Sequence, residues 1–562
     1  MPNPLHRWGK PITLLLLWLA VQLVIKQGVM ATPTVVEVVE KPESFRQKIC
    51  PADLTTAIDA IISRPEFMRS RWGILIQPLA DSAPLYSLES ERFFIPASNI
   101  KLFTTAAALR QLGEQYRIRT PVYGTGTSPY LTSLRIVGQA DPSLSNTQLT
   151  DVAQQLKGQG VRLVQQLIVE DGYTPYGIIN PTWEWSDSYL YYGASVNRLI
   201  LNQNTVGLTL LPQQPGKPLR VSWSDGVAAR QWRVDNRAVT GKAGIPYSVE
   251  IMGVLGEPVL VINGQLAADA APDFWGLAVR DPAHYFLESF RRILEAEGIA
   301  VIKALVKDSS AEMVRSSDQG MGREVNNTEI TKITNTAGLT QSPLNPPIMG
   351  DFNIIPPQNW GVRGAKPSKL RKSYTERTRE LAAVESLPLA LLLKEINQQS
   401  NNLYAEALLH QLETEERSES SPKFGLVAVQ QSLTELGVDP KSYSMADGSG
   451  LSRHNLASPF AIAQTLRLMA QTPLAQVYRE SLATAEVSGT LRDRFRDTAA
   501  VGKLQAKTGT LSGVSALSGY LDIPDYQTLV LSILVNQSDQ SAAKLRNAID
   551  EIVLLLTRLG YC

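Results

Sequence analysis

The sequence predicts a mixed α/β (α+β) chain: a five-stranded, mainly antiparallel sheet flanked by helices, interrupted by β-rich accessory domains. Three observations carry that expectation. Two strand-like runs stand near the N-terminus and three near the C-terminus, and neither group alone is enough for a stable sheet. Between them, from about 116 to 305, short strand-like runs alternate with Gly, Pro and Asp turns. Finally, 562 residues of which 44% are hydrophobic give ample material for several packed cores.

The elements follow in order. His6, Arg7 and Lys10 precede an apolar run from Ile12 to Ile25, and Val29-Met30-Ala31 offers a small-residue cleavage site. That is the layout of a secretory signal over 1–31, followed by a polar linker over 32–49. An uncleaved anchor is the competing reading, although the run stops at Lys26, short of the roughly 20 residues that span a bilayer. Leu54 to Ile62 has helical periodicity, and Trp72–Pro78 and Leu85–Leu88 read as paired strands turning at Asp81 and Ser82. Phe93-Phe94-Ile95-Pro96 leads into an Ala- and Leu-rich helix from Ala97 to Leu112.

In the middle section, Leu134–Gly138, Val206–Leu211 and Pro258–Asn263 are typical strand runs, and Ala283–Glu297 reads as a closing helix. Residues 306–375 lack periodicity and are rich in Asn, Ser, Thr and Pro, which predicts an irregular spacer. A helical block resumes at Leu381 and runs through Leu412. Strands are expected at Ala506–Leu511, Ser515–Leu521 and Thr528–Asn536, then a helix at Ala542–Leu559. The resulting division is a principal domain over 50–115 and 376–562, an accessory domain over 116–200 and 255–305, and a nested small β-rich domain over 201–254.

Composition excludes several function classes. Lys+Arg 54 against Asp+Glu 53 leaves a formal charge of +1, so nothing electrostatic favours nucleic acid or an anionic membrane surface as a partner. Four isolated histidines and two cysteines offer no metal-ligand spacing, so neither metal nor cofactor is expected. Cys50 and Cys562 stand at the two ends of the mature chain. In an oxidising compartment they would either form a long-range bridge or remain two unpaired thiols.

Three short motifs fall in sequence: Ser98-Asn99-Ile100-Lys101, Ser400-Asn401-Asn402 and Lys507-Thr508-Gly509. The first two patterns arise readily by chance, since Ser420…Lys423, Ser541…Lys544 and Ser195-Val196-Asn197 also fit; Lys-Thr-Gly occurs once. Context separates them. Spacing i,i+3 on a helix puts the Ser98 hydroxyl and the Lys101 amine on one face, in a first turn where the helix dipole favours developing negative charge. A serine attacks a carbonyl at neutral pH only with a base beside it. A lysine is that base only where burial or a neighbouring positive charge, here Lys507, keeps it partly neutral. Bland readings exist for each: an exposed helix start, a helix cap at Ser400-Asn401-Asn402, a strand with an exposed lysine.

Taken together, the chain resembles the penicillin-recognising serine enzymes with S-x-x-K, S-x-N and K-T-G motifs. The 302-residue gap from Ser98 to Ser400 is similar to the D-Ala-D-Ala carboxypeptidase/endopeptidase branch of low-molecular-mass, class C penicillin-binding proteins. Further matches are Gly138-Gln139-Ala140-Asp141-Pro142-Ser143-Leu144, Tyr192-Gly193-Ala194-Ser195-Val196-Asn197, Ser400-Asn401-Asn402-Leu403-Tyr404-Ala405-Glu406 and Asp447-Gly448-Ser449-Gly450-Leu451-Ser452. The resemblance covers most of 50–305 and 381–562 and departs from the family over 306–375.

It implies a penicillin-binding transpeptidase-like fold and a set of roles. Ser98 would be the nucleophile and Lys101 its base. Ser400 would relay a proton to the leaving amine, and Asn402 would hold Lys101 or the substrate amide. Lys507, Thr508, Gly509 and Thr510 would form the substrate-binding strand, with the backbone N–H groups of Ser98 and Thr510 as the oxyanion hole. The implied partners are peptidoglycan stem peptides, with β-lactams as covalent inhibitors, in the periplasm or another extracytoplasmic space. A β-lactamase and a catalytically silent wall-binding scaffold are the alternatives. Asp447–Gly450 reads first as a turn, and the oligomeric state is not readable.

Overall fold

The structure is a computed structural model that describes residues 48–171, 179–308, 377–412 and 422–562. The expected leader and nearly all of the linker and spacer lie outside the described residues.

Strands from the two ends of the chain do combine. We label them β1 (Arg71–Pro78), β2 (Tyr86–Leu88), β3 (Ala483–Thr484), β4 (Leu504–Leu511), β5 (Val514–Asp522) and β6 (Thr528–Asn536). Their order is β3-β4-β5-β6-β1-β2, every pairing antiparallel. The five expected strands are present, and the two-residue β3 is a sixth at the edge beyond β4. It pairs only with Gln505 and Ala506, so it stops short of Lys507.

The sheet is central because both of its faces are apolar. Along β6, Leu529, Leu531, Ile533 and Val535 point to one side and Val530 and Leu534 to the other, as the two-residue repeat of a strand requires. The first set packs against helices α1 (Leu54–Ile62) and α6 (Ala542–Leu556). The second meets α2 (Lys101–Leu112), α3 (Leu389–Gln398), α4 (Asn402–Gln411) and α5 (Pro459–Met469). Cys50 and Cys562 form a disulfide with Cα atoms 5.7 Å apart, beside a backbone bridge in which Ile49 N donates to Arg558 O at 2.9 Å. The two ends of the described chain are thus closed on α1 and the end of α6.

The accessory domain is a mixed five-stranded sheet in the order Ala300–Asp308, Leu163–Asp171, Tyr130–Val137, Arg119–Thr127, Arg379–Glu385. Helix Asn146–Gly158 crosses between two parallel strands, and Pro282–Ala296 packs beside it. Two expectations are corrected here. Leu381–Glu385 is strand, not the start of a helix: Ala382 and Val384 are buried while Leu381 and Ala383 are partly exposed, the two-residue alternation of an edge strand paired with Arg119–Thr127. The accessory sheet therefore takes in residues that had been placed in the principal domain and in the spacer, whose first positions to Asp308 are strand. The nested β-rich part also runs past 254, because Val259–Asn263 pairs with Arg233–Asn236 and Asp273–Ala278 pairs with Thr205–Leu211.

Candidate active site

Ser98 sits in a single 3-10 turn, Ala97–Ile100, that feeds directly into α2. The turn is held in an unusual shape. Ala97 has φ 47°, and Gly450 lies so close that a Cβ there would meet Ala97 O at 1.9 Å. Gly450 itself has φ +82°, so glycine is required twice over. One turn later Lys101 points back along the same face and donates to Ser98 Oγ at 3.0 Å.

Lys101 is fully buried, and its ammonium has three acceptors: Ser98 Oγ, Asn402 Oδ1 at 2.6 Å and the Ser449 carbonyl. Burial pushes its pKa down to about 7, while the carboxyl groups of Asp447 and Glu406 pull it back up. Burial, rather than the neighbouring Lys507 charge expected from the sequence, is the main cause. Lys507 on β4 is also fully buried; it lies well below the ordinary lysine range through burial first and the Lys101 charge second. Its amine donates to Ser400 Oγ and to Thr508 O, both at 2.9 Å.

Ser400 occupies the turn between α3 and α4 with φ 62°. The next residue, Asn401, is the N-cap of α4, accepting from Tyr404 N at 3.2 Å. Cap and site therefore coexist in one tripeptide: Asn401 caps, Ser400 faces Lys507 and Asn402 faces Lys101. Gly509 has a packing role. A Cβ there would lie 2.9 Å from Asn99 Nδ2 and from Pro96 O, so the glycine lets β4 run against the turn that carries Ser98. The decoy Ser541 only caps α6, accepting from Lys544 N, and Ser420 lies outside the described residues.

Ser98, Ser400, Asn402, Thr508 and Thr510 line one cleft of about 730 Å³. Lys101 and Lys507 lie behind its wall and reach it through the two serines. The opposite wall comes from the accessory region, where Glu184, Asp187, Tyr191, Tyr192 and Gln203 line the same space. That wall is bonded to the catalytic side at several points. Asn402 Nδ2 donates to Tyr192 O at 2.8 Å, Asn401 Nδ2 to Gln203 Oε1 at 2.8 Å, Asn180 Nδ2 to Ala446 O at 3.2 Å, and Arg453 Nε to Glu184 Oε1 at 2.6 Å.

Asp447, expected as part of a turn, is an organising residue. Its two oxygens accept from Gly450 N at 2.7 Å, Asn455 Nδ2 at 2.7 Å, Ser452 N at 2.6 Å and Trp183 Nε1 at 2.9 Å. Glu406 was visible in the sequence only within a motif match and given no role. It is 7% exposed, pushed up to about 8 chiefly by burial and then by the Asp447 charge, and its Oε1 accepts from both Gly448 N and Ser449 N. A buried acid on a helix otherwise apolar at Leu403, Ala405, Ala407 and Leu408 is the signal that could have found it.

A serine within hydrogen-bond reach of a buried, partly neutral lysine, at a helix start and facing a strand hydroxyl pair, defines an acyl-transferring serine hydrolase of the Ser-Lys type. Known proteins agree. Residues 54–318 and 360–559 match Peptidase_S13, the D-Ala-D-Ala carboxypeptidase 3 (S13) family. A D-alanyl-D-alanine carboxypeptidase of Actinomadura sp. (strain R39) is 30% identical over 499 residues, covering 86% of this chain and 81% of that protein. Penicillin-sensitive carboxypeptidase A of Dictyostelium discoideum is 27% identical over 531 residues, covering 87% of each. The crystal structure of penicillin binding protein 4 (dacB) from Haemophilus influenzae shares the fold, with a TM-score of 0.67 at 20% identity over 90% of this chain and 98% of that one. A second structure of that protein is complexed with a β-lactam, at a TM-score of 0.63 and 21% identity. The chain belongs to the D-Ala-D-Ala carboxypeptidase 3 (S13) family and is a peptidase.

Proposed function

We propose that this cleft is the active site of a serine-type D-Ala-D-Ala carboxypeptidase that also cuts peptidoglycan cross-links as an endopeptidase, outside the cytoplasm. The observation that carries the reading is the 3.0 Å contact between Ser98 Oγ and a fully buried Lys101. Neutral Lys101 takes the Ser98 proton as Oγ attacks the carbonyl between the two D-alanines. The backbone N–H groups of Ser98 and Thr510 receive the developing oxyanion, each worth about 3 kcal/mol in such a role. The proton taken by Lys101 is returned to the leaving amine by way of Ser400, whose hydroxyl is bonded to Lys507, so Lys101 is neutral again when the amine departs. Water then attacks the acyl-serine, giving a proton to Lys101, which passes it to the departing Ser98 Oγ, and the peptide acid and free Ser98 are released. The Thr508 and Thr510 side chains, which line the cleft, would take a terminal carboxylate, with Lys507 behind them.

A β-lactam, similar in shape to the D-Ala-D-Ala bond, would acylate the same oxygen. Residues 1–31 have the layout of a signal for export, which agrees with a wall substrate and with the disulfide. The test is release of D-alanine from a stem pentapeptide, followed beside cleavage of a cross-linked muropeptide dimer. Both products, lost together in Ser98→Ala, are expected. Pentapeptide cleavage with an untouched dimer would remove the endopeptidase part, and no release from either would remove the whole reading.

A further inference from the structure

Helix α4 reaches Lys101 by two routes. Asn402 and Glu406 are one turn apart on one face of that helix. Asn402 touches the Lys101 amine directly at 2.6 Å. Glu406 reaches it through the backbone of one residue, Ser449: its Oε1 accepts from Gly448 N at 3.0 Å and Ser449 N at 2.8 Å, and the Ser449 carbonyl accepts from Lys101 Nζ. The same loop is pinned to α2, since Thr104 Oγ1 donates to Gly448 O at 2.8 Å.

We propose that Glu406 is a positioning residue of the reaction, aiming the Ser449 carbonyl at Lys101 and setting by its own charge how readily Lys101 gives up a proton. The proposal rests on the reading of Lys101 as the base for Ser98. A neutral acceptor would satisfy the two loop N–H groups equally well, yet a carboxyl is kept here, out of water and beside Asp447. What distinguishes a carboxyl is its coupling to Lys101. The groups that face the pair are Asp447 on the loop and Lys507 on β4, with Glu406 on α4 and Lys101 on α2. Burial pushes Glu406 up and Lys101 down, and the Glu406 carboxyl in turn raises Lys101. Ionised Glu406 favours the protonated lysine and delays the base.

The experiment is the second-order rate of acylation by a chromogenic cephalosporin between about pH 5 and pH 10, for the wild type, Glu406→Gln and Glu406→Ala. Gln retains an Oε1 acceptor and removes the charge. Its plateau rate should remain within about threefold of wild type, while its acid limb moves to lower pH. Ala leaves two buried N–H groups without their acceptor, and its plateau should fall by about tenfold or more. A Gln profile that superimposes on the wild type, or an Ala plateau equal to it, overturns the proposal. If the Ala variant does not fold, the Gln limb decides. Absence of any rise across neutral pH in the wild type itself would instead overturn the role of Lys101.

Discussion

Asn402 joins two parts of the molecule that are far apart in sequence: its Oδ1 takes a hydrogen bond from Lys101 Nζ at 2.6 Å, and its Nδ2 gives one to the Tyr192 carbonyl at 2.8 Å. The amide presents its oxygen to the lysine amine and its NH2 group to the carbonyl. The insert is therefore part of the active site rather than an appendage, because it fixes the orientation of the group that holds the lysine.

Asn402→Asp makes this concrete. A carboxylate would pair with the Lys101 ammonium, hold its proton and face the Tyr192 carbonyl with a second oxygen. Acylation at pH 7 should fall by about 100-fold, with part of the loss recovered at higher pH. In the wild type, Lys101 must be neutral to act, so acylation rises as pH increases through about 7 and then levels. In the variant the rise should move upward by about one pH unit or more. Stopped-flow acylation at a series of pH values reads both.

Gly450→Ala tests the turn that carries the nucleophile. The added carbon would lie 1.9 Å from Ala97 O at a backbone φ of +82°, so the turn must shift. Labelling by a fluorescent penicillin should fall by about 100-fold or more, since reacting atoms misplaced by an ångström lose that much. Unchanged labelling would mean that the turn tolerates the shift.

Trp183 and Asp447 couple the insert to the loop around Ser449. Trp183→Phe removes one N–H donor from a buried carboxylate and should cost about 1.5–3 kcal/mol. Asp447→Asn sets an NH2 group against N–H donors and should cost more. Denaturant unfolding followed by tryptophan fluorescence orders the two.

The Cys50–Cys562 bond closes a loop across 512 positions of sequence. It constrains the unfolded chain far more than the folded one, so Cys562→Ser should lower stability by about 2–5 kcal/mol. Penicillin labelling at 25 °C should persist, because the bond ties α1 to the end of α6 and touches none of the cleft residues. Thermal unfolding with and without reductant, beside the Ser variant, checks the size of the effect.

Much of this was legible from residue order. Strands β1, β2, β4, β5 and β6 were readable because their apolar runs are long or alternate cleanly. Ser98 and Lys101 were readable because i,i+3 spacing puts both on one face of a helix start and the other two motifs follow in order; the spacing alone fits Ser541 and Lys544 as well. The two-residue β3 carries no periodicity to detect. Leu381–Glu385 reads as helix in the sequence because Leu381, Ala382, Ala383 and Val384 satisfy helical and strand patterns alike until Arg119–Thr127 supplies a partner. Trp183 and Gln203 gave no local signal, and Tyr192 stood only in a motif match with no role attached, since their contacts are with residues more than two hundred positions away, save for Gln203 with Asn401 at 198. Of the two causes open from the sequence, burial and the Lys507 charge, burial lowers Lys101, and depth is a tertiary property.

The central claim is that Ser98 Oγ becomes acylated with Lys101 as its base. The most direct measurement is intact-mass and peptide-mass analysis of the purified protein after exposure to penicillin, beside Ser98→Ala and Lys101→Ala. One added penicilloyl mass is expected, located on the peptide containing Ser98, absent from Ser98→Ala and formed far more slowly in Lys101→Ala. An adduct on another residue, or an equal adduct in Ser98→Ala, would contradict it.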